Sequence, residues 1–204
     1  MAERGRPRSF DRDAALQKAM ELFWKKGYEG TSLADLTAAM GINAPSLYGA
    51  FGSKEQLFRD AVARYGEQEG GCTRVELLGA PTARAGIQNM LAAAARAGTQ
   101  PGKPRGCLIV LSAPTGADGH EPVRKMLCDN RRQMQALILQ RLREGAQRGE
   151  LPADADLAGL AGFYSTVLNG IAIQARDGAS RKALLQTATL AMHAWDALAA
   201  APAA

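Results

Sequence analysis

The sequence has few cysteines and no long apolar run. Its three cysteines, Cys72, Cys107 and Cys128, are too few and too scattered for a disulfide framework or for paired metal ligands. No uninterrupted apolar run approaches the roughly 18 residues that a membrane-spanning helix needs. The basic N-terminus leads into charged residues 11 to 13 instead of the apolar core of a signal peptide. We therefore expect a cytoplasmic protein without a metal, a cofactor or a membrane partner.

Aromatic and β-branched residues are also scarce. Aromatic side chains make up 5% of the 204 residues, whereas alanine and leucine dominate, and this composition predicts an all-α fold. The length suits one medium domain or a small domain packed on a larger one. The net charge of +5 is compatible with a polyanionic partner but does not establish one.

The residue groupings of common catalytic sites are missing as well. The two histidines, His120 and His193, stand alone, and no nucleophile is joined to a base. No phosphate-cradling glycine loop appears, and no residue pair has convincing metal-ligand spacing. We therefore predict that the chain is not an enzyme.

Residues 31 to 58 carry the most informative pattern. Ser32 and Asp35 have capping-box spacing, and apolar residues then recur at helical intervals until Gly41. Asn43 can cap a second helix, with Pro45 in its first turn. The pattern predicts two short helices joined by a glycine turn, the geometry that lets one helix enter the DNA major groove. Any small bundle can contain such a turn, so these residues alone leave both interpretations open.

The flanking residues extend the pattern in both directions. Asp11 is a candidate cap for a first helix that runs to about residue 26, and Ser53 is a candidate cap for a further helix. Residues 8 to 60 closely resemble the DNA-binding region of the tetracycline-repressor (TetR) family of bacterial transcription regulators. The positions that carry the resemblance are Phe10, Asp11, the run from 19 to 23, Lys26, Gly27, Tyr28, Gly30, Thr31, Ser32, Leu36, Gly41, Ile42, Leu47, Tyr48, Phe51, Lys54, Leu57 and Phe58.

The resemblance implies that the helix from 43 to 51 lies in the major groove. The DNA contacts expected from it are Asn43, Ala44, Pro45, Ser46, Tyr48 and Gly49. Thr31 or Ser32, together with Lys54, suits phosphate oxygens, because helix N-termini favour anions. For Ser32 and Asn43, simple helix capping is the alternative role. The helix carries no arginine or lysine, so bidentate guanine recognition is not available from it.

A short basic arm precedes the first helix. Arg4, Arg6 and Arg8 are opposed only by Glu3, and residues 4 to 7 match the core of a minor-groove AT-hook. We expect these arginines to contact the minor groove or phosphates. A tail that only aids solubility is the alternative.

The chain divides into two predicted domains. Residues 1 to 65 would form a three-helix, helix-turn-helix DNA-binding domain with the basic arm, and residues 66 to 204 a larger helical domain for ligand binding and dimerisation. Residues 66 to 81 read as a loose junction because glycines are frequent there. Five helices are predicted beyond it, near 82–98, 107–113, 123–148, 156–176 and 180–199, which makes about nine helices in total.

The last two predicted helices are apolar around much of their circumference, so they need cover on more than one side. In the TetR family such helices pair with those of a second subunit, which implies a homodimer and hence a palindromic operator. The expected interface residues are Leu157, Leu160, Tyr164, Leu168, Leu184, Ala188, Met192 and Trp195.

The resemblance also implies an unknown small-molecule effector held in the larger domain. The candidate lining is Met90, Leu108, Leu111, Met126, Met134, Tyr164 and Leu168, although apolar residues at helical spacing also form ordinary core. Cys107 follows Arg105 at a predicted helix start, where a thiol can become reactive. Three functions remain open: a repressor released by its effector, a thiol-based redox or electrophile sensor, and an architectural DNA-binding protein that responds to no ligand.

Overall fold

The computed structural model describes residues 10 to 112 and 120 to 199. Within these ranges the chain is helical and forms no strand, which confirms the all-α prediction. The helices are α1 (Arg12–Lys26), α2 (Leu33–Met40), α3 (Ala44–Phe51), α4 (Lys54–Gln68), α5 (Cys72–Gly79), α6 (Ala83–Ala97), α7 (Leu108–Leu111), α8 (Glu121–Gln147), α9 (Leu157–Arg176), α10 (Arg181–His193) and α11 (Trp195–Ala199).

Most helix starts lie where the sequence predicts them, because a polar side chain caps the first free amides. In α2, Ser32 and Asp35 form a complete capping box. In α3, the Asn43 side chain accepts from the Ser46 amide, and Ser53 accepts from the Gln56 amide at the start of α4. Asp11 caps α1 as predicted, and the side chains of Thr82, Asp156 and Ser180 cap α6, α9 and α10.

Two features of the helix count differ from the sequence prediction. Helix α5 occupies part of the segment that reads as a loose junction, and the predicted last helix is interrupted at Ala194 to give α10 and α11. Leu77 of α5 is buried, and its carbonyl oxygen approaches Gly86 of α6 so closely that a Cβ there would lie 2.5 Å from it. This close packing between helices stabilises α5, and the glycine-rich local sequence gives no sign of it.

The apolar core has two parts. The first joins α1 to α4 and also includes Leu108 of α7 and Val123 and Leu127 of α8. The second joins residues of α5, α6, α8, α9 and α10. The DNA-binding helices therefore share a core with the larger domain. The predicted boundary after residue 65 falls inside α4 and stays a prediction.

Helix α9 is apolar for a reason visible in the fold. By length and composition alone, it could cross a membrane. Leu160, Tyr164 and Ile171 on one of its faces are buried in the second part of the core. Burial of this kind accounts for the apolar sequence.

Candidate DNA-binding interface and effector cavity

Helix α3 is held by two side chains that point away from its outer surface. Leu47 is fully buried and Phe51 nearly so, and both belong to the first part of the core. Gly41 begins the turn before α3 with φ of 70°, in the left-handed region that glycine adopts without strain. The anchored face therefore fixes which residues of α3 face outward.

The outward face of α3 carries mostly small residues and no charged side chain. The exposed residues are Asn43, Ala44, Pro45, Tyr48 and Gly49, whereas Ser46 is partly buried. Tyr48 is the largest of them and is 45% exposed. A Cβ added at Gly49 would meet no heavy atom within 4 Å. Five of the six expected base-reading residues are therefore accessible, and Ser46 is partly so.

Arg12 braces the end of α3, a role that the sequence analysis missed. Its guanidinium pairs with Asp60 of α4 at 2.8 Å, and its Cζ lies 4.6 Å from the centroid of the Phe51 ring. One side chain of α1 thus contacts both α3 and α4. No local motif reveals such a pairing, because Arg12 and Asp60 are 48 positions apart.

The structure at the start of α2 distinguishes Thr31 from Ser32, the two alternative phosphate contacts. Thr31 is 0% exposed, and its hydroxyl donates to the Gly27 carbonyl oxygen at 2.7 Å. Its side chain is therefore unavailable to DNA, which removes Thr31 from the expected contacts. Ser32 is exposed, and its hydroxyl donates to Asp35 at 2.9 Å.

Asp35 brings a negative charge to the start of α2. The Ser32 backbone amide, together with the ammonium of Lys26 at 2.9 Å, lowers the pKa of Asp35 to about 2. The carboxylate already occupies the anion-favouring helix end. The Ser32 hydroxyl and the Lys26 ammonium both donate to this carboxylate, so a phosphate near this end would meet a fixed anion.

Lys54 lies at the first position of α4, where the sequence analysis expects a phosphate contact. Its Nζ is 4.4 Å from the centroid of the Tyr28 ring, and burial lowers its pKa. The aromatic ring restricts the lysine side chain. Arg4, Arg6 and Arg8, the remaining predicted DNA contacts, lie outside the described residues.

A cavity of about 550 Å³ lies between α4 and the helices of the larger domain. Of the predicted lining residues, Met126, Met134 and Leu168 lie on its wall, as does Cys107. Met90, Leu108 and Tyr164 are fully buried core residues, and Leu111 lies outside the wall, so these four residues do not line this cavity. Helical spacing identifies apolar faces but not which of them borders an empty space.

Two wall residues next to Cys107 were missed. The hydroxyl of Tyr65 from α4 faces the Cys107 thiol. The pKa of Tyr65 is raised well above its ordinary value, mainly by burial and secondly by the neighbouring Cys107. Cys72, at the start of α5, lies on the same wall, and burial raises the pKa of its thiol. The sequence around Cys72 carries no signal for this position, because its glycine-rich segment does not predict α5.

Most of the predicted dimer residues point into their own chain. Six of them are buried in the core of the single chain: Leu160, Tyr164, Leu184, Ala188, Met192 and Trp195. Leu157 and Leu168 are partly buried. These six cannot form an intersubunit surface as predicted, because an apolar periodicity cannot tell the inward face from the face left for a partner. Phe163 and Ile173 of α9 and Leu190 of α10 are the large apolar residues exposed on these helices.

Comparison with known proteins decides the family. A family model described as bacterial regulatory proteins, tetR family, matches residues 15–61. A second model, described as tetracyclin repressor-like, C-terminal domain, matches residues 81–195. The chain belongs to the TetR family. As a TetR-family member it is a DNA-binding transcriptional regulator and not an enzyme.

The matches between this TetR-family chain and its named relatives extend over nearly the whole chain. It is 37% identical to the HTH-type transcriptional repressor ComR of Escherichia coli K12, over 96% of this chain and 93% of the relative. It is 32% identical to the repressor BdcR of the same organism, over 93% and 91% of the two chains. A cysteine-substituted form of the TetR family regulator CifR, solved with a 26-base-pair double-stranded operator DNA, shares 50% identity at a TM-score of 0.90. That match covers 94% of this chain and 100% of the CifR chain in that structure.

Proposed function

We propose that this TetR-family protein is a cytoplasmic, homodimeric repressor that binds a palindromic operator and is released by a small molecule in the cavity. The observation that carries the proposal is the outward face of α3, whose exposed residues stand on the buried anchors Leu47 and Phe51. The relatives ComR and BdcR are named repressors, and CifR was solved on operator DNA.

On this proposal, α3 enters the major groove and reads bases through small groups. Ala44 contacts a thymine methyl, Ser46 donates or accepts at a base edge, and Tyr48 holds a phosphate. Lys54, Ser32 and the arginines of the N-terminal arm contribute sequence-independent affinity. Because α3 has no cation, much of the affinity comes from phosphate contacts and from the dimer, and binding falls steeply with salt.

The proposed dimer interface is the exposed apolar surface of α9 and α10. Phe163, Ile173 and Leu190 are 38%, 47% and 54% exposed. Several large apolar residues exposed on neighbouring helices are typical of a protein interface. A twofold dimer through this surface presents two α3 helices to successive major grooves, so the matching DNA site is a palindrome.

The cavity is suited to control α4. Val62, Tyr65 and Gly66 of α4 lie on its wall, and Lys54 lies at the opposite end of the same helix. Helix α4 has 15 residues and therefore spans about 22 Å at 1.5 Å per residue. A ligand that displaces one end of α4 also moves α3 and the proposed phosphate contact, and this changes the spacing of the two DNA-binding surfaces.

Selection of bound fragments from the source genome, followed by footprinting, tests this proposal. We expect protection of a discrete palindrome. Uniform protection of AT-rich DNA would contradict it and would support the architectural alternative. Genes beside the selected sites then suggest candidate effectors to be tested for release.

Cys107 supports a second function, that of a thiol-based sensor of oxidants or electrophiles. Its partly buried side chain lies on the cavity wall opposite the Tyr65 hydroxyl, where a diffusing reagent can reach it. Operator binding should be compared with and without mild oxidant in the unaltered protein and in Cys107→Ser. Loss of the response in the variant supports the sensor, whereas an equal response in both proteins removes Cys107 from the mechanism.

A further inference from the structure

We propose that Trp24 and Arg176 form a latch that transmits occupancy of the cavity to the DNA-binding helices through residues 105 to 107. The proposal rests on the cavity being the effector site. It adds a route through α1 to the one through α4. Residues 105 to 107 form the latch segment.

Trp24 joins α1 to the latch segment. Its indole Nε1 donates to the Gly106 carbonyl oxygen at 3.2 Å, and both residues are buried. The indole ring also packs edge-on against Tyr65 of α4, with the ring centroids 4.9 Å apart. A displacement of Gly106 therefore acts directly on α1 through Trp24. It also acts on α4, because the same indole ring contacts Tyr65.

Arg176, in the last turn of α9, binds both α1 and the latch segment. Its Nε donates to the Arg105 carbonyl oxygen at 3.0 Å, and its Nη1 donates to the Lys25 carbonyl oxygen at 2.9 Å. Its Nη2 donates to the Trp24 carbonyl oxygen. The guanidinium satisfies carbonyl groups at the C-terminal end of α1, where a positive charge is favourable. One side chain thus connects positions about 150 residues apart in sequence.

The latch segment has little freedom to move alone. Arg105 Nε donates to the Ala175 carbonyl oxygen at 2.7 Å, and the Gly106 amide donates to the Gly98 carbonyl oxygen at 3.0 Å. Gly106 has φ of 81°, and a Cβ there would lie 2.6 Å from the Ala172 carbonyl oxygen. With the backbone packed this closely, displacement of one residue of the segment changes the hydrogen bonds of its neighbours.

The latch segment also borders the cavity. Gly106 and Cys107 are both wall residues, so the peptide that accepts the Trp24 hydrogen bond lies beside the space that a ligand would fill. Ala172, one turn before Arg176 on α9, is on the same wall. A ligand that pushes on this wall therefore acts on both halves of the latch.

Covalent modification of Cys107 with N-ethylmaleimide provides a defined occupant for the test. The thiol adds across the maleimide double bond, so that a carbon–sulfur bond forms and the thiol proton ends on the neighbouring carbon. The parent protein carries Cys72→Ser and Cys128→Ser, which leave Cys107 as its only cysteine, and Trp195→Phe, which leaves Trp24 as its only tryptophan. Mass spectrometry establishes complete modification.

Two measurements are made on the parent protein before and after modification. The first is the emission of Trp24, which requires no DNA, and we expect a shift as the hydrogen bond to Gly106 is disturbed. The second is affinity for a genome-selected operator fragment, which we expect to fall by about 5- to 150-fold, the usual range of coupling between two sites.

Three variants of the parent locate the coupling. Arg176→Met and Trp24→Phe each remove latch hydrogen bonds and keep much of the side-chain volume. In these variants, modification of Cys107 should weaken operator binding by less than about 5-fold. Arg181→Met is the matched control, because Arg181 also donates to backbone carbonyls, those of Arg96 and Thr99, but does so within the larger domain. It should respond to modification as the parent does. Thermal melting before modification establishes that each variant is folded.

Two results would overturn the latch. Equal loss of operator affinity in the parent, Arg176→Met and Trp24→Phe would show that the signal travels by another route, with regulation through the cavity intact. Complete modification with neither a change in Trp24 emission nor a loss of affinity would show that the latch segment transmits nothing. If no operator fragment is recovered, the proposed repressor function fails. The shift in Trp24 emission on modification of Cys107, compared between the parent and Arg176→Met, then still decides whether the latch segment is coupled to α1.

Discussion

Lys54 lies across the ring of Tyr28, with its Nζ 4.4 Å from the ring centroid. The contact ties the first turn of α4 to the segment that follows α1, and Tyr28 in turn packs edge-on against Phe58 of α4 at 5.0 Å. Lys54 is therefore positioned before any DNA binds. A pre-positioned cation loses less side-chain entropy when it meets a phosphate.

Replacing Lys54 with glutamine should weaken operator binding by a similar factor for specific and unrelated DNA, because a phosphate contact carries no base information. The slope of log affinity against log salt should fall by about 1 per subunit. Lys182→Gln, an exposed lysine of α10, is the control and should leave the slope unchanged. An unchanged slope in Lys54→Gln would rule out its phosphate contact.

Gly49→Ala should raise the stability of the free protein and weaken its DNA binding. A Cβ at Gly49 meets no atom within 4 Å, and alanine in a helix interior is about 1 kcal/mol more favourable than glycine. The same methyl group projects from the outward face of α3, so operator affinity should fall about tenfold, the scale of one lost base contact. Thermal melting and a binding titration measure the two effects.

The matched control for this substitution is Gly79→Ala. Gly79 is exposed at the end of α5, away from the cavity wall, and a Cβ there also meets nothing within 4 Å. This variant should gain stability with little change in operator affinity. If both variants bind the operator as the unaltered protein does, the outward face of α3 is not the reading surface.

Leu190→Glu should separate the proposed dimer. Leu190 is 54% exposed in the single chain, and a carboxylate buried between two subunits would lack a partner. We expect the dimer to weaken by about 2 kcal/mol or more, the scale of an interface hot spot, and operator affinity to fall with it. Sedimentation measures the oligomeric state. Val75→Glu on α5 is the control: Val75 is 69% exposed, and this variant should leave the oligomeric state unchanged. If the Leu190→Glu dimer is as strong as the original, the interface lies elsewhere.

Asp35 should titrate with a midpoint of about 2. Its pKa is lower in the folded chain than the ordinary value of 3.8, so the ionised carboxylate stabilises the fold above about pH 4. That contribution is lost as the pH falls through about 2, when the capping box of α2 loses its anionic acceptor. An NMR titration of the Asp35 carboxyl carbon measures the midpoint, and Lys26→Met should raise it. A midpoint near 3.8 in the unaltered protein would contradict the hydrogen bonding described for this cap.

Deletion of residues 1 to 8 tests the basic arm. The truncated protein should bind the operator more weakly and with a smaller salt slope, because Arg4, Arg6 and Arg8 no longer displace counterions from DNA. Substitution of the three arginines by glutamine keeps the arm length and should have the same effect. An arm that only aids solubility would leave the salt slope unchanged in both proteins.

The sequence by itself determined where most helices begin and which face of α3 is exposed. The caps at Ser32, Asn43 and Ser53 each involve an amide three residues away, so their signal is complete within a short segment. The same holds for the glycine turn at Gly41 and for the inward spacing of Leu47 and Phe51. Family resemblance over the same residues led to the correct functional class.

Only the tertiary structure decided which apolar surfaces meet. Helical spacing predicts the same lining role for Met90 and Met134, yet one is core and the other borders the cavity. Tyr164 faces its own chain, while the adjacent Phe163 is exposed. Arg176 reaches the end of α1 from the last turn of α9. Periodicity specifies the direction of a side chain relative to its own helix, whereas these contacts depend on how distant helices pack, and no short segment of sequence contains that information.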